Sequence, residues 1–185
     1  VMVWLEELLQ LRWQHLRVHV TSVSEQWAGC AVAGPKSRDI LQACVEDPAV
    51  MLNEAFPFMG VIETTLMGGI PVRIARISFS GEMAFEAYVP SDYANALMDL
   101  LWPATEAVDG CLYGLEALGA LRIEKGHVTG AELDGRVTID DAGLGQMAAT
   151  NKSYIGSVLR NRADMVREER PKLVGTKSMR SLIHI

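Results

Sequence analysis

VIETTLMGGIPVRIARIS, residues 61–78, decides the fold class. Val61 to Met67 is rich in β-branched residues and reads as a strand. Gly68-Gly69 follows, a two-residue signal for a tight hairpin. Ile70 to Ser78 alternates apolar and polar side chains and reads as the returning strand. A hairpin pairs its strands antiparallel, so the sheet of this protein is expected to be antiparallel.

Upstream, Leu16 to Val23 (LRVHVTSV) also alternates and predicts a half-buried strand. Ser24-Glu25-Gln26 reads as a turn, and Trp27 to Val32 as the next strand. Gly34-Pro35 breaks that strand, and a helix over Ser37 to Val45 is predicted behind Pro35. At the start, Trp4, Leu5, Leu8, Leu9, Leu11 and Leu16 fall close to helical spacing, giving an amphipathic helix over residues 3–16. Downstream, Phe85 to Val89 is a short strand. Pro90-Ser91-Asp92 introduces a helix through Leu101, with Ser91 or Asp92 as N-cap. Tyr113 to Lys125 is a further helix, ended by Gly126. The result is an α+β core over about residues 17–126, an antiparallel sheet with helices on one face.

From about residue 128 the texture changes. Gly130, Gly135, Gly143 and Gly145 mark a loop-rich stretch, followed by a small element at Tyr154 to Arg160. Residues 161–171 are dense in charge, and Lys172-Leu173-Val174-Gly175 reads as the beginning of a strand. The expected organisation is residues 1–126 as one module, 127–171 as its loop-rich completion, and 172–185 as the start of a following domain or tail.

Hydrophobic residues make up 49% of the 185 and charged residues 22%, an ordinary globular balance. The net charge of −6 argues against a nucleic-acid partner, which requires clustered Lys and Arg. Cys30, Cys44 and Cys111 are an odd number without CxxC spacing, so reduced core thiols in a cytoplasmic protein are expected. His15, His19, His127 and His184 form no ligand pattern, and no metal site is expected. No apolar run reaches about 18 residues, and no membrane span is expected. Val1 and the apolar residues behind it lack the basic opening of a secretory signal. The sequence reads as starting inside a longer protein.

Two segments carry candidate chemistry. In Leu121-Arg122-Ile123-Glu124-Lys125-Gly126-His127, Arg122 sits on the last turn of a helix and shares a face with Lys125. A guanidinium there suits a carboxylate or polarised carbonyl; it equally suits an ion pair with Glu124 or a loop carboxylate that only holds the helix end. In Ser80-Gly81-Glu82-Met83-Ala84-Phe85-Glu86, the two glutamates are four apart in extended chain and can share a side. They suit recognition of a planar donor edge, or are two solvated carboxylates flanking a turn. No G-x-G-x-x-G follows a strand, no G-x-S-x-G occurs, and Cys111 has no adjacent base.

Four collinear segments resemble the aminomethyltransferase (glycine cleavage T-protein) family. They are Trp27 to Arg38 (WAGCAVAGPKSR), Arg76 to Glu86 (RISFSGEMAFE), Leu121 to Gly145 (LRIEKG, then GAELD, then AGLG) and Lys152 to Gly156 (KSYIG). The stretch GHVTGAELDGR is most similar to the folate-binding region of the α subunit of heterotetrameric sarcosine oxidase, and the chain resembles a fragment of it. The resemblance implies a tetrahydrofolate-dependent one-carbon transfer module. It would form 5,10-methylenetetrahydrofolate from the imine left by sarcosine oxidation, or serve as a non-catalytic folate-binding or assembly domain. It implies that Glu86 contacts the pterin, with Glu82 and Arg122 as further folate-binding residues. The family's catalytic Asp is expected upstream of this chain. FAD, FMN and NAD would bind elsewhere in the intact complex, and the partners would be the other sarcosine oxidase subunits. The chain alone is not expected to oxidise sarcosine.

Overall fold

The computed structural model describes residues 1–133, 135–167 and 169–175. The chain divides into two compact units, Val1–Gly114 and Leu115–Ile185. Each is considered by itself.

The first unit contains α1 (Met2–Leu11), β1 (Trp27–Ala33), α2 (Ser37–Cys44), β2 (Val61–Leu66), β3 (Ile70–Ala75), β4 (Ala84–Pro90) and α3 (Ala94–Glu106). The four strands form one antiparallel sheet in the order β1-β4-β3-β2. The β2–β3 hairpin turns at Gly68 and Gly69, whose φ values of 83° and 78° are conformations open to glycine without steric penalty. Leu66 therefore pairs with Ile70, and the register runs back to Val61 opposite Ala75.

Strand alternation sorts the side chains onto two faces. Val32, Leu66, Ile70, Val72, Ile74, Phe85, Ala87 and Val89 join one buried cluster with Ile40, Leu41 and Cys44 of α2 and Leu97 and Leu101 of α3. The helices α2 and α3 pack against each other and against β4. Phe56, from the loop before β2, completes this core and meets Phe85 at a ring-centroid distance of 5.6 Å. The expected α+β architecture, with an antiparallel sheet and helices on one face, is the one observed.

Four local expectations about the first unit are corrected. Residues 16–23 form no strand and are exposed or half-buried. Alternation makes a segment able to pair, but only a neighbouring edge satisfies its N–H and C=O groups. Neither Ser91 nor Asp92 caps α3: a single 3-10 turn, Ser91–Tyr93, precedes it, and the Ala94 N–H is already bonded to the Ser91 carbonyl. The first helix stops at Leu11 and buries none of its residues, with Trp4 and Leu11 exposed. Of the three free thiols, Cys44 lies in the core, where burial pushes it up to about 11, and Cys30 is half-buried. Cys111 is exposed and is not a core residue.

The second unit contains α4 (Leu115–Lys125), a 3-10 turn at Gly145–Met147 and α5 (Ser157–Arg160). Tyr113 and Gly114, expected within the helix, precede it. Gly126 ends α4 at φ 80°, and the His127 N–H reaches back to the Arg122 carbonyl at 2.9 Å. With the Gly126 N–H on the Ile123 carbonyl, this is a Schellman closure. Most of the expected tail, 172–185, lies outside the described residues, and 172–175 form no strand. Among the described residues no helix is long and apolar enough to cross a membrane.

Candidate functional site

The face of the sheet opposite α2 and α3 carries the polar chemistry of the first unit. Glu86 and Tyr88 are both half-buried there, because β4 turns Phe85, Ala87 and Val89 into the core. The register builds two rows across this face. In one, Glu86 stands between Ala31 of β1 and Ala75 of β3. In the other, Tyr88 stands between Gly29 and Arg73, and Arg73 is paired in turn with Glu63 of β2. The carboxylate is thus flanked by small side chains, and the phenol by a glycine and a guanidinium.

Side-chain contacts tie the second row together and link it to the first. The Tyr88 hydroxyl donates to Glu86 Oε2. This bond, more than burial, pushes the Tyr88 phenol up to about 12, since ionising it would remove the donor beside a carboxylate. Arg73 lies 4.9 Å from the Trp27 ring centroid and donates to Glu63 Oε1 from Nη2 at 2.7 Å. Trp27, Gly29, Arg73 and Tyr88, with Val23 and Ser24, line an open depression on this face. Glu82 lies apart from these rows, exposed in the bend before β4, where its backbone carbonyl accepts from the Ser78 hydroxyl.

In the second unit Arg122 is engaged. Its Nη1 donates to Glu132 Oε1 at 2.7 Å and to the His127 carbonyl at 3.2 Å. The other oxygen of Glu132 accepts from the Thr129 N–H at 2.7 Å and from the Thr129 hydroxyl. Arg122 first, then the Thr129 amide, holds the Glu132 carboxyl down at about 2. The partner is a loop carboxylate of the GAELD stretch, and the pair ties the end of α4 to the loop behind it. Further along, Arg160 grips both oxygens of Asp140, and Arg170 donates twice to Oδ2 of Asp141. Lys152, Tyr154 and Arg160 line a second open depression together with Ile139, Met147 and Ile155.

The sequence alone does not single out Tyr88, Arg73 or Trp27. Tyr88 carries a usable signal, since a residue two beyond Glu86 in a strand shares its face. Arg73 and Trp27 come from other strands, and only the register brings them alongside. Among the described residues no group of three or more His, Cys, Asp or Glu is placed to hold a metal ion.

Residues 1–152 match the family model described as GCVT N-terminal domain. The chain is 40% identical, over its whole length, to "Sarcosine oxidase subunit alpha" of Rhizobium meliloti (strain 1021) and of Corynebacterium sp. (strain U-96). It spans only 19% of those relatives. It is also 34% identical over 72% of its length to "Aminomethyltransferase" of Bacillus cereus (strain B4264), covering 36% of that protein. With four-fifths of its residues inside the family model, the chain belongs to the GCVT N-terminal domain family.

Proposed function

We propose that this chain is the tetrahydrofolate-handling, one-carbon-transfer module of a sarcosine oxidase α-like protein. The observation that carries this reading is the setting of Glu86: a half-buried carboxylate on the face opposite the helices, flanked by Ala31 and Ala75. No long side chain stands directly opposite it on either neighbouring strand. A pterin presents ring N–H and amino donors along one edge, and a carboxylate accepts two such bonds in parallel. The bond from Tyr88 uses one lone pair of Oε2 and leaves both oxygens able to accept again. The residues present therefore fit the group.

Tetrahydrofolate, when bound, supplies the nitrogen nucleophile that receives the one-carbon unit. Glu86 would hold the pterin edge and set its orientation, on which transfer between two bound partners depends. Arg122, paired with Glu132, and Glu82, in the exposed bend, are the further folate-binding residues of this reading. Transfer further requires that water be kept from the reacting carbon. A cytoplasmic setting, with the other subunits of a sarcosine oxidase as partners and FAD, FMN and NAD bound outside this segment, belongs to the same reading.

The test is calorimetric titration of the full-length protein with tetrahydrofolate, followed by assay of its one-carbon transfer. Saturable binding with transfer is expected. Binding without transfer would move the reading to a folate-binding or assembly domain, and no binding by the full-length protein would overturn it.

A further inference from the structure

The reading of Glu86 as the pterin-holding carboxylate leaves open what holds Glu86 itself. The side chain has three rotatable bonds, and its neighbours across the sheet, Ala31 and Ala75, are too small to wall it in. What fixes the carboxylate is the bond that Oε2 accepts from the Tyr88 hydroxyl.

The ring that delivers this hydroxyl is itself placed by its surroundings. Gly29 lies opposite Tyr88 on β1, and a Cβ at Gly29 would sit 2.8 Å from two carbons of the Tyr88 ring. That is closer than carbon atoms approach, so the absence of a side chain at residue 29 is what lets the ring lie where it does. On the other side stands Arg73, stacked on Trp27 and paired with Glu63. Tyr88 thus stands between Gly29 and Arg73 in the register, and its hydroxyl donates along β4 to Glu86.

We infer that Tyr88 is a positioning residue for Glu86: seated over Gly29, it holds Oε2 so that the carboxylate is presented in one orientation to the ring it binds. Tyr88 acts through Glu86 and need not touch the folate. The high phenol value described above accords with this, since it keeps the hydroxyl a donor throughout the neutral range.

The inference rests on the folate reading, and a double-mutant cycle separates the two. Tetrahydrofolate affinity is measured in the full-length protein for Glu86→Gln, Tyr88→Phe, the double variant and Gly29→Ala. Tyr88→Phe keeps the ring and its packing and removes only the hydroxyl. It is expected to weaken binding about threefold to tenfold, in line with loss of a hydrogen bond to a charged group. The same change made on top of Glu86→Gln is expected to have little further effect, a non-additivity that a purely structural role for Tyr88 would not produce. Gly29→Ala, which must tilt the ring away, is expected to weaken binding in the same direction. If Tyr88→Phe binds like the parent while Glu86→Gln binds weakly, the positioning role is wrong and the folate reading stands. If Tyr88→Phe weakens binding equally in both backgrounds, Tyr88 acts independently of Glu86 and the inference is again overturned. If Glu86→Gln itself has no effect, the assignment of Glu86 fails and this inference fails with it.

Discussion

Glu86 and Glu82 belong to one sequence box, yet the fold gives them different surroundings. Glu86 is half-buried on β4 between two alanines, whereas Glu82 is exposed in the bend before that strand. Glu86→Gln preserves shape but replaces one acceptor oxygen by a donor. It is expected to weaken tetrahydrofolate binding by about 1.5–3 kcal/mol, the usual worth of a charge-assisted hydrogen bond. Glu82→Gln is expected to cost less, and calorimetry on both variants of the full-length protein checks the order. Equal and negligible losses would make the box structural. A second prediction at this scale concerns Asp141. Arg170, then the Thr138 amide, lowers its carboxyl from 3.8 to about 2. A folded value below the unfolded one means that the stabilisation is fully present above about pH 4 and is lost as pH falls toward about 2. Thermal melts of the parent and Arg170→Gln across that acid range are expected to converge at the low end and separate above it. Parallel curves would show that the pair contributes no pH-dependent stability.

The elements test the packing. Leu41 on α2 is fully buried within the cluster between helices and sheet. Leu41→Ala removes most of that side chain from a close-packed site and is expected to destabilise the first unit by about 2–5 kcal/mol. Urea unfolding followed by circular dichroism reads this directly, and a loss under about 1 kcal/mol would mean the core is looser than described. The hairpin gives a backbone counterpart. Gly69 has φ 78°, and a Cβ at this residue would meet nothing within 4 Å, so Gly69→Ala would be strained by conformation and not by collision. A destabilisation of about 1–2 kcal/mol is expected in the same assay.

At the scale of the molecule, buried apolar residues are unevenly shared. The core cluster runs from Val32 to Leu101, wholly within the first unit. Among the described residues of the second, Ala142 is the one buried apolar side chain, and ion pairs such as Arg122–Glu132, Arg160–Asp140 and Arg170–Asp141 tie its loops. Exposed or partly exposed ion pairs contribute little beside a buried cluster. Hydrogen exchange is expected to protect amides of β3, β4 and α2 most strongly, and those of residues 127–156 least. Equal protection in the two units would contradict this distribution of stability.

Features that depend on neighbours along the chain were legible in the residues alone. The Gly68-Gly69 turn set antiparallel pairing because only a short list of turns joins two strands so closely. The alternation in residues 70–75 named the buried face of β3, and Gly126 ended α4 as expected. The collinear motifs carried the family. Features that depend on partners distant in sequence emerged only with the folded sheet. Residues 16–23 alternate as well as any strand here, but strand formation needs an edge to bond to, and periodicity does not report one. The order β1-β4-β3-β2 likewise sets Gly29 and Arg73 on either side of Tyr88, and Ala31 and Ala75 on either side of Glu86. Those neighbours, 11 to 59 positions away in sequence by their residue numbers, flank the carboxylate and the phenol. Cross-strand register is a property of the assembled sheet, fixed by pairing between segments that the chain itself keeps apart.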